Sequence, residues 1–314
     1  MPQTPSSASP LPQALPLEIE ARRAELASLV MRHVPHEGMH ATAIPKLDLI
    51  RGDAPTEQSI PALYEPSLCL IAQGRKQANL GEEVYFYDPL HYLIASVALP
   101  ISGRVIEASP GEPYLCVRLS LDVAQITELI AETGVPQPPR SQSSRGLFVE
   151  RVDSPLLDAM SRLLRLLETP KDIPTLAPLI IREIYYRLLQ SPQGARLQEI
   201  AIVDSQSHRI ARAIEWLNQH YHRPLRIDDL AQVVNLSSST LHHRFKSMTA
   251  MSPLQYQKQL RLQEARRLMI TEGLDASAAG YRVGYESPSQ FSREYSRQYG
   301  APPLRDLARL RTSA

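Results

Sequence analysis

The sequence predicts an α+β protein with an antiparallel β domain near its amino terminus, flanked by helices, and a carboxyl-terminal domain made only of helices. Three observations support this prediction. The chain has 314 residues, which exceeds one usual domain, and 43% of them are apolar, enough for real cores. Short apolar runs broken by turn residues fill the region from about His40 to Leu121. From Ser207 onward the pattern is helix and turn.

The net charge of +1 hides an asymmetry between the two ends of the chain. Residues 207–314 hold 16 Lys and Arg but 9 Asp and Glu, so this part carries +7 and the remainder −6. A basic part joined to an acidic one indicates that one of them meets a polyanion. Ordinary scatter of surface charge would give the same counts, so charge alone does not decide the function.

Several features predict a cytoplasmic protein. No run of about 18 apolar residues could span a membrane, and the first residues lack the basic and apolar regions of a secretory signal. Cys69 and Cys116 both lie inside apolar runs, which predicts two buried free thiols in a reducing compartment. No Cys and His spacing resembles a zinc site, so we expect neither a metal nor a cofactor.

The amino-terminal half is predicted to pass from a tail through a helix into strands. Five prolines among small polar residues at 1–16 predict a disordered tail. Apolar residues then recur at helical spacing from Leu17 to about Val34, and Pro35 ends this helix. The short runs that follow predict an antiparallel sandwich or a small barrel. They lie at residues 68–72, 84–87, 90–97, 104–106 and 114–121.

Helices dominate after this region. Val123–Thr133 is predicted as a helix closed by Gly134, and residues 136–144 as a loop. Two amphipathic helices follow at residues 154–168 and 175–190, and a Ser-Pro-Gln-Gly sequence breaks the second. The pair could pack on the sheet or form a dimer seam, and the sequence does not decide between them.

The carboxyl-terminal part contains a helix-turn-helix pattern. A short helix at 227–234 has two aspartates in its first turn, where negative charge is favourable. Asn235 can adopt a left-handed turn, and Ser237 or Ser238 can cap the next helix, which runs to about Lys246. In such a motif the second helix lies in the major groove of DNA.

The second helix of this pattern has an apolar and a polar face. Leu241 and Phe245 are four residues apart, so we expect both to point inward. Serine and histidine side chains on the other face can bond to base edges. These candidates for base contact are Ser239, His242 and His243. A solvated face of one short helix would have the same composition.

A second copy of the pattern makes the DNA-binding interpretation specific. A long helix after Pro253 runs to about Ile270, roughly 27 Å, and is followed by another short helix and turn. Phe291 and Tyr295 repeat the inward spacing, and Gln and Arg suit bidentate contacts with adenine and guanine. The outward candidates are Ser289, Gln290 and Arg293. Two such units could enter major-groove segments about 34 Å apart.

Basic side chains on or near these helices are candidates for contact with DNA phosphates. Such contacts hold a protein on DNA and make binding depend on salt. The candidates are Arg244, Lys246, Arg261, Arg266 and Arg267.

Residues 207–314 resemble the AraC/XylS-type transcription regulators. The resemblance rests on residues 238–246 (SSTLHHRFK), 261–268 (RLQEARRL), 283–293 (VGYESPSQFSR) and 299–303 (YGAPP), in the right order and at the right separations. It implies sequence-specific binding to double-stranded DNA at a promoter or operator, with RNA polymerase as a partner. At the matching positions it places base contacts on the six residues named above.

The amino-terminal part is similar to the sensor domain of a subset of these regulators. The similarity rests on residues 65–74 (EPSLCLIAQG), with support from Tyr87-Asp88 and from residues 107–110. It implies a cupin-like β-barrel followed by helices, used for effector binding and for forming a homodimer. We therefore expect a sensor domain at 17–145, a helical connector or dimerisation segment at 146–206 and a DNA-binding domain at 207–314.

The effector of such a sensor is not identified by the sequence. A binding cavity should be apolar with a few polar groups, for which the candidates are Tyr85, Tyr87, Tyr92 and Arg118. Two alternatives stay open. The barrel could serve only for dimerisation, or it could be a metal enzyme, which usually needs several imidazoles and a carboxylate on neighbouring strands. The groups available for that are His91, His40, Glu82, Glu83 and Glu107, and we expect no catalysis.

Two departures from the family pattern affect the helix-turn-helix units. Arg226 stands where a Ser or Thr cap is frequent at the first short helix. In the second unit Ala276, Ala279 and Gly280 are smaller than usual, and a glycine inside a helix costs about 1 kcal/mol relative to alanine. We therefore expect the second unit to be packed more loosely than the first.

Overall fold

The computed structural model describes residues 17–134, 145–202 and 205–312. The predicted disordered tail at 1–16 and the predicted loop at 136–144 lie outside these residues. The described part confirms an α+β fold with strands in its amino-terminal half and helices in its carboxyl-terminal half. No helix in these ranges combines the length and the apolar character needed to cross a membrane.

Ten described strands form two antiparallel sheets. They are β1 (Gly38–Ala41), β2 (Leu47–Gly52), β3 (Ile60–Tyr64), β4 (Ser67–Gln73), β5 (Arg75–Leu80), β6 (Glu83–Tyr87), β7 (His91–Ala95), β8 (Leu99–Glu107), β9 (Tyr114–Ser120) and β10 (Leu147–Arg151). One sheet has the order β1-β2-β9-β4-β7-β10 and the other β3-β8-β5-β6. No ladder among the described strands joins the two sheets, so the predicted barrel is an open two-sheet sandwich.

Strand β4 shows that the larger sheet is covered by apolar residues on both of its faces. Leu68 and Leu70 point to one side, where they pack with the helices. Cys69 and Ile71 alternate with them and point between the sheets, together with Ala78 of the smaller sheet. A strand covered on both faces therefore reads as a continuous apolar run instead of an alternating one.

Five helices cover the outer face of the larger sheet. They are α1 (Leu17–His33), α2 (Val123–Thr133), α3 (Ser154–Arg165), α4 (Ile173–Gln190) and α5 (Gly194–Ala201). Asp122 caps α2 by accepting hydrogen bonds from two backbone N–H groups, and Gly134 ends it with the left-handed φ of 59°. The predicted helix pair, now α3 and α4, packs on the sheet, so this one of the two open alternatives is observed.

Strands β1, β2, β3, β5 and β10 and helix α5 were not identified individually from the sequence. Strand β10 extends the larger sheet beside β7, although it lies between segments with helical patterns. Helix α5 begins at Gly194, directly after the predicted break. A Cβ atom at Gly194 would lie 2.1 Å from the carbonyl oxygen of Leu189, so only glycine permits this tight return of the chain.

Seven helices form the carboxyl-terminal domain. They are α6 (Gln206–His220), α7 (Ile227–Val233), α8 (Ser238–Thr249), α9 (Pro253–Thr271), α10 (Ala276–Arg282), α11 (Pro288–Tyr299) and α12 (Pro303–Thr312). Helices α7 and α8 form the first helix-turn-helix unit, α10 and α11 the second, and α9 joins them. The second unit has its own core, whereas the core of the first is continuous with the interior of the sandwich.

Candidate nucleic-acid interface

The first helix-turn-helix unit holds α8 with its polar face toward solvent. Asn235 adopts the expected left-handed conformation with φ of 53°, and the Ser237 hydroxyl accepts a hydrogen bond from the backbone N–H of Thr240 at 3.2 Å. Leu241 and Phe245 are fully buried, and the Phe245 ring packs edge-on against Tyr256 of α9 at 5.4 Å. These buried anchors fix the rotation of α8 about its axis, so that its candidates for base contact point outward. Those exposed residues are Ser239, His242 and His243.

The second unit repeats this arrangement. Ser287 caps α11 by accepting from the backbone N–H of Gln290 at 3.4 Å, and Pro288 occupies its first turn. Phe291 and Tyr295 are fully buried, at the same spacing as in α8. The outward residues Ser289, Gln290 and Arg293 are all exposed. The structure therefore places all six candidates for base contact on the solvent-exposed faces of equivalent helices.

The expected loose packing of the second unit is contradicted at Gly280. A Cβ atom at this position would lie 3.1 Å from the Phe291 ring, so the small residue lets α10 and α11 approach closely. Asp275 also caps α10 by accepting from the backbone N–H of Ala278 at 2.8 Å. In contrast, Arg226 makes no capping hydrogen bond to α7, as its side chain led us to expect. The short helix without a cap therefore belongs to the first unit.

Two of the five candidates for phosphate contact are engaged inside the protein. The Arg261 guanidinium donates to the carbonyl oxygens of Tyr221 at 2.7 Å, Arg223 at 2.9 Å and Gly284 at 2.9 Å, and thereby connects the two units. Arg266 donates two hydrogen bonds to Asp306 at 2.8 and 3.0 Å, and its side chain is only 15% exposed. Their geometry contradicts the prediction that they face DNA, because their donors already serve acceptors within the protein.

The remaining basic candidates are closer to solvent. Lys246 is exposed and Arg244 is half-buried, both on α8. The Arg267 side chain is 51% exposed and pairs with Glu264 at 2.7 Å and Glu272 at 3.4 Å. Lys258 was not selected from the sequence, yet it lines the same cleft as His242. Its position depends on how α9 packs against α8, which the spacing of residues does not show.

A cleft of about 1280 Å³ separates α8 from the turn between β5 and β6. On the side of α8 it is lined by Ser239, His242 and His243, and on the side of the sandwich by Glu82 and Glu83. The acidic turn therefore faces the helix that carries half of the candidates for base contact. Arg145 also lines the cleft and pairs with Glu83, so the unfavourable charge that a polyanion meets from the sandwich comes from Glu82.

The amino-terminal domain contacts the first unit directly at the end of α8. Arg145 donates to the backbone oxygens of Lys246 and Ser247, and it also pairs with Glu83. The backbone N–H of Gly146 donates to Met248 O at 2.9 Å. Tyr256 of α9 donates its hydroxyl proton to Ala98 O at 2.9 Å. These bonds surround the shared apolar core and fix α8 relative to the sandwich.

The four candidates for effector contact do not lie together. Tyr87 is buried between the sheets, and Tyr85 is half-buried, with its hydroxyl donating to Glu83 at 2.7 Å. Arg118 of β9 pairs with Asp48 of β2 at 2.7 Å. Tyr92 instead packs among the helices on the outer face of the larger sheet, so it cannot line a cavity between the sheets. The described residues contain no group of three or more His, Cys, Asp or Glu side chains that could hold a metal ion.

A second cavity lies outside the sandwich and was not predicted. It has a volume of about 440 Å³ and lies between the edge of the larger sheet and the helices α2 and α4. Its walls are mostly apolar, including Ile173, Ala177 and Ile181. The ion pair between Lys46 and Asp122, at 2.9 Å, lines it as well. Such a cavity depends on helix docking and leaves no signal in the sequence.

Two family models match different parts of the chain. A family model described as "AraC-type transcriptional regulator N-terminus" matches residues 43–196, and one described as "Helix-turn-helix domain" matches residues 230–309. The HTH-type transcriptional activator RhaS of Escherichia coli (strain SMS-3-5 / SECEC) is 28% identical over 158 residues. That alignment covers 50% of this chain and 56% of RhaS, so the chain spans little more than half of that relative's length.

Solved structures share the fold across both domains. ToxT from Vibrio cholerae O395 bound to (E)-4-(8-methylnaphthalen-1-yl)but-3-enoic acid has a TM-score of 0.56 at 13% identity, covering 83% of this chain and 97% of ToxT. ToxT from Vibrio cholerae strain SCE256 with a bound unsaturated fatty acid has a TM-score of 0.52 at 13% identity, covering 82% and 94%. At this identity the likeness concerns the fold alone.

Proposed function

Because this chain belongs to the AraC-type transcriptional regulators, we propose that it binds a specific DNA sequence through α8 and α11 under the control of its amino-terminal domain. One observation carries the proposal. Two equivalent helices bury the same apolar positions and expose polar residues suited to base edges. A helix that only completed a core would have no reason to repeat its exposed face.

Phosphate contacts are assigned to the basic groups that remain near solvent. We propose Lys246, Arg244 and Arg267 for this role and exclude Arg261 and Arg266, whose donors are used internally. Each lost phosphate contact should lower the slope of log affinity against log salt by about one. The base contacts are proposed at Ser239, His242, His243, Ser289, Gln290 and Arg293.

A second copy of the chain and RNA polymerase are the proposed protein partners. Helix α4 packs on the sheet with one face only, and its outer face exposes Leu176, Leu179 and Tyr186, which are 42%, 62% and 44% exposed. Exposed apolar side chains in helical register suit a helix–helix contact between two copies. These residues support a homodimer contact through the outer face of α4, while its other face packs on the sheet.

Control by the amino-terminal domain is proposed to act through its junction with α8. A small molecule that changes the sandwich or the 440 Å³ cavity would shift the arrangement at Arg145, Gly146 and Glu83. Since these groups bond to the last turn of α8, the shift changes the orientation of the helix and the distance of the acidic turn from DNA.

The experiment that tests the proposal is selection of double-stranded DNA from a random pool by the full chain at several salt concentrations. We expect enrichment of one motif with two half-sites about one helical turn apart, and an affinity that falls steeply with salt. A variant with Gln290→Ala and Arg293→Ala should enrich only the part read by α8. Selection that enriches no motif, or the same motif in the variant, would contradict the proposal.

A further inference from the structure

A group of polar side chains lies inside the apolar sandwich, which the proposed DNA interface does not use. We call it the thiol cluster: Cys69 of β4, Cys116 and Tyr114 of β9, Lys76 of β5 and Tyr87 of β6. Both cysteines are free and at most 3% exposed, and both tyrosines are 1% exposed. Polar groups inside a core normally make hydrogen bonds, so those of this cluster that make none need a physical explanation.

The two thiols are neighbours on adjacent antiparallel strands. Cys69 is opposite Arg118 and Cys116 is opposite Ile71, so the cysteines are one diagonal step apart on the same face of the sheet. The Cys116 S–H group donates a hydrogen bond to Val117 O at 3.6 Å, and the two thiols interact electrostatically. A thiolate formed at one sulfur therefore has a second thiol within reach.

The Lys76 ammonium lies beside these thiols without a carboxylate. Its Nζ atom is 5.6 Å from the centre of the Tyr64 ring and 5.7 Å from that of Tyr114. Lys76 makes no ion pair with an acidic side chain in the described ranges, and its electrostatic neighbours are Tyr64 and the two cysteines. Lys76 is half-buried, and a thiolate beside it can supply a compensating negative charge.

Two hydroxyl groups of the cluster have no partner. The Tyr87 and Tyr114 oxygens are buried, and neither makes a hydrogen bond within the described structure. The Lys76 ammonium and the two tyrosine hydroxyls can all donate hydrogen bonds. Together they can therefore bind an oxygen atom of a small molecule. Lys76 and Tyr64 are only half-buried, which brings one side of the cluster close to solvent.

The electrostatics of the pair single out Cys69 as the nucleophile. The interaction with Cys116 lowers the pKa of the Cys69 thiol against the opposing effect of burial, and the positive charges of Lys76 and Arg118 lower it further. The pKa of Cys116 is raised by its interaction with Cys69 and by burial. The thiolate form is the reactive one, so the two cysteines have different roles.

We propose that the thiol cluster is a site of reaction with hydroperoxides, in which Cys69 attacks and Cys116 resolves. The Cys69 thiolate attacks one peroxide oxygen, the O–O bond breaks, and its electron pair leaves with the other oxygen, which takes a proton from Lys76. Lys76 then regains the proton that the Cys69 thiol released. Cys69 becomes a sulfenic acid. Cys116 then attacks this sulfur, and the sulfenic hydroxyl leaves as water with the Cys116 proton.

The overall reaction is balanced without a further reagent. Two thiols lose two electrons and two protons to form one disulfide, and the hydroperoxide is reduced to water and an alcohol or a second water. The unpaired Tyr87 and Tyr114 hydroxyls can donate to the peroxide oxygens during the attack. The same chemistry accounts for every unusual feature of the cluster, whereas two ordinary core cysteines would account for neither the cation nor the phenols.

The test uses the reduced full chain with hydrogen peroxide as the probe and counts thiols after denaturation, together with intact mass. We expect both thiols to be lost together, with the mass of one disulfide. Cys116→Ser should instead yield a sulfenic acid on Cys69 that dimedone traps, and Cys69→Ser should be unreactive. Retention of both thiols in the folded wild type would overturn the proposal.

The role of the cation is tested with a neutral side chain of similar length. Lys76→Met should slow the oxidation of Cys69 by about tenfold or more, since the thiolate loses its counter-charge. Lys171→Met, which removes an exposed lysine between α3 and α4, serves as the matched control and should react like the wild type. Circular dichroism and thermal melting check that each variant is folded. Equal rates in the two variants would refute the assignment.

Only the expected effect of oxidation on DNA binding rests on the proposed function. If the sandwich controls α8, the oxidised chain should bind its selected DNA with an affinity changed by at least about fivefold, because coupling between two sites typically changes affinity by about 5- to 150-fold. Thiol oxidation without this change supports the hydroperoxide site and contradicts its link to DNA binding. Failure to select any DNA would contradict the proposed function, while the thiol counts would still decide the reaction.

Discussion

Single residues decide how closely the helices of the DNA-binding domain approach one another. Gly280 faces the Phe291 ring, and Gly284 adopts a φ of 96° at a point where a Cβ atom would lie 2.1 Å from His222 O. From the sequence Gly280 was interpreted as a loss of packing, because the identity of its neighbour was unknown. The same residue is a requirement of close packing once α11 lies against it.

The first prediction concerns this contact. Gly280→Ala should lower the free energy of unfolding by up to about 2 kcal/mol, because the strain of about 1–3 kcal/mol against the buried Phe291 ring exceeds the gain in helix propensity of about 1 kcal/mol. Ser277→Ala, at an exposed position of the same helix, is the control. Chemical denaturation measures both. A more stable Gly280→Ala protein would show that the ring can move away.

The second prediction concerns base recognition by α11. Arg293→Ala should weaken binding to the selected site by about 1–3 kcal/mol and relax the preference at one base pair. Arg297→Ala removes an exposed arginine one turn further along α11 and is the matched control. Titration against the site and its single-base variants measures both effects. A uniform loss on all sequences would place Arg293 on a phosphate instead.

At the scale of elements, caps and turns follow from local sequence more reliably than packing does. The bounds of α2 and its closure at Gly134, the cap at Ser237 and the turn at Asn235 agree with the predictions, because each depends on residues within one turn. Strand β10 was missed because its pairing with β7 joins segments more than fifty residues apart. Its apolar residues alone are compatible with a helix.

The third prediction addresses the helix that has no cap. Arg226→Ser should stabilise the first unit by about 1 kcal/mol, because its hydroxyl can accept from the free backbone N–H groups of α7. Ser237→Ala, which removes the observed cap of α8, should lower stability by a similar amount. Thermal and chemical unfolding compare the two variants with the wild type. An unchanged or less stable Arg226→Ser protein would indicate that the arginine has another structural role.

At the scale of the whole molecule, the amino-terminal domain and the first unit share one core, whereas the second unit stands apart. Tyr256 bonds to Ala98 across this junction, and Arg145 bonds to the last turn of α8. The two helices proposed to read DNA are therefore not equivalent in the full chain. The sandwich contacts the unit that contains α8, whereas the core of the unit that contains α11 is separate.

The fourth prediction follows from the acidic turn that faces α8. Glu82→Gln should raise the affinity for DNA by about two- to fivefold at low salt, because one repulsive charge is removed, and the gain should shrink as salt screens it. Glu128→Gln, at an exposed position of α2 outside the cleft, is the control. Equal effects of both changes would mean that only net charge matters and that DNA does not enter this cleft.

The sequence by itself determined an antiparallel β region followed by helices, the duplicated helix-turn-helix pattern and the polar faces of α8 and α11. These properties depend on periodicity and on contacts between residues close in the chain. Only the tertiary structure showed that Arg261 and Arg266 serve internal acceptors, that Gly280 must be small and that Lys76 lies over the Tyr114 ring of the thiol cluster. Those roles depend on which distant elements meet, and side-chain spacing along one element carries no information about its partner.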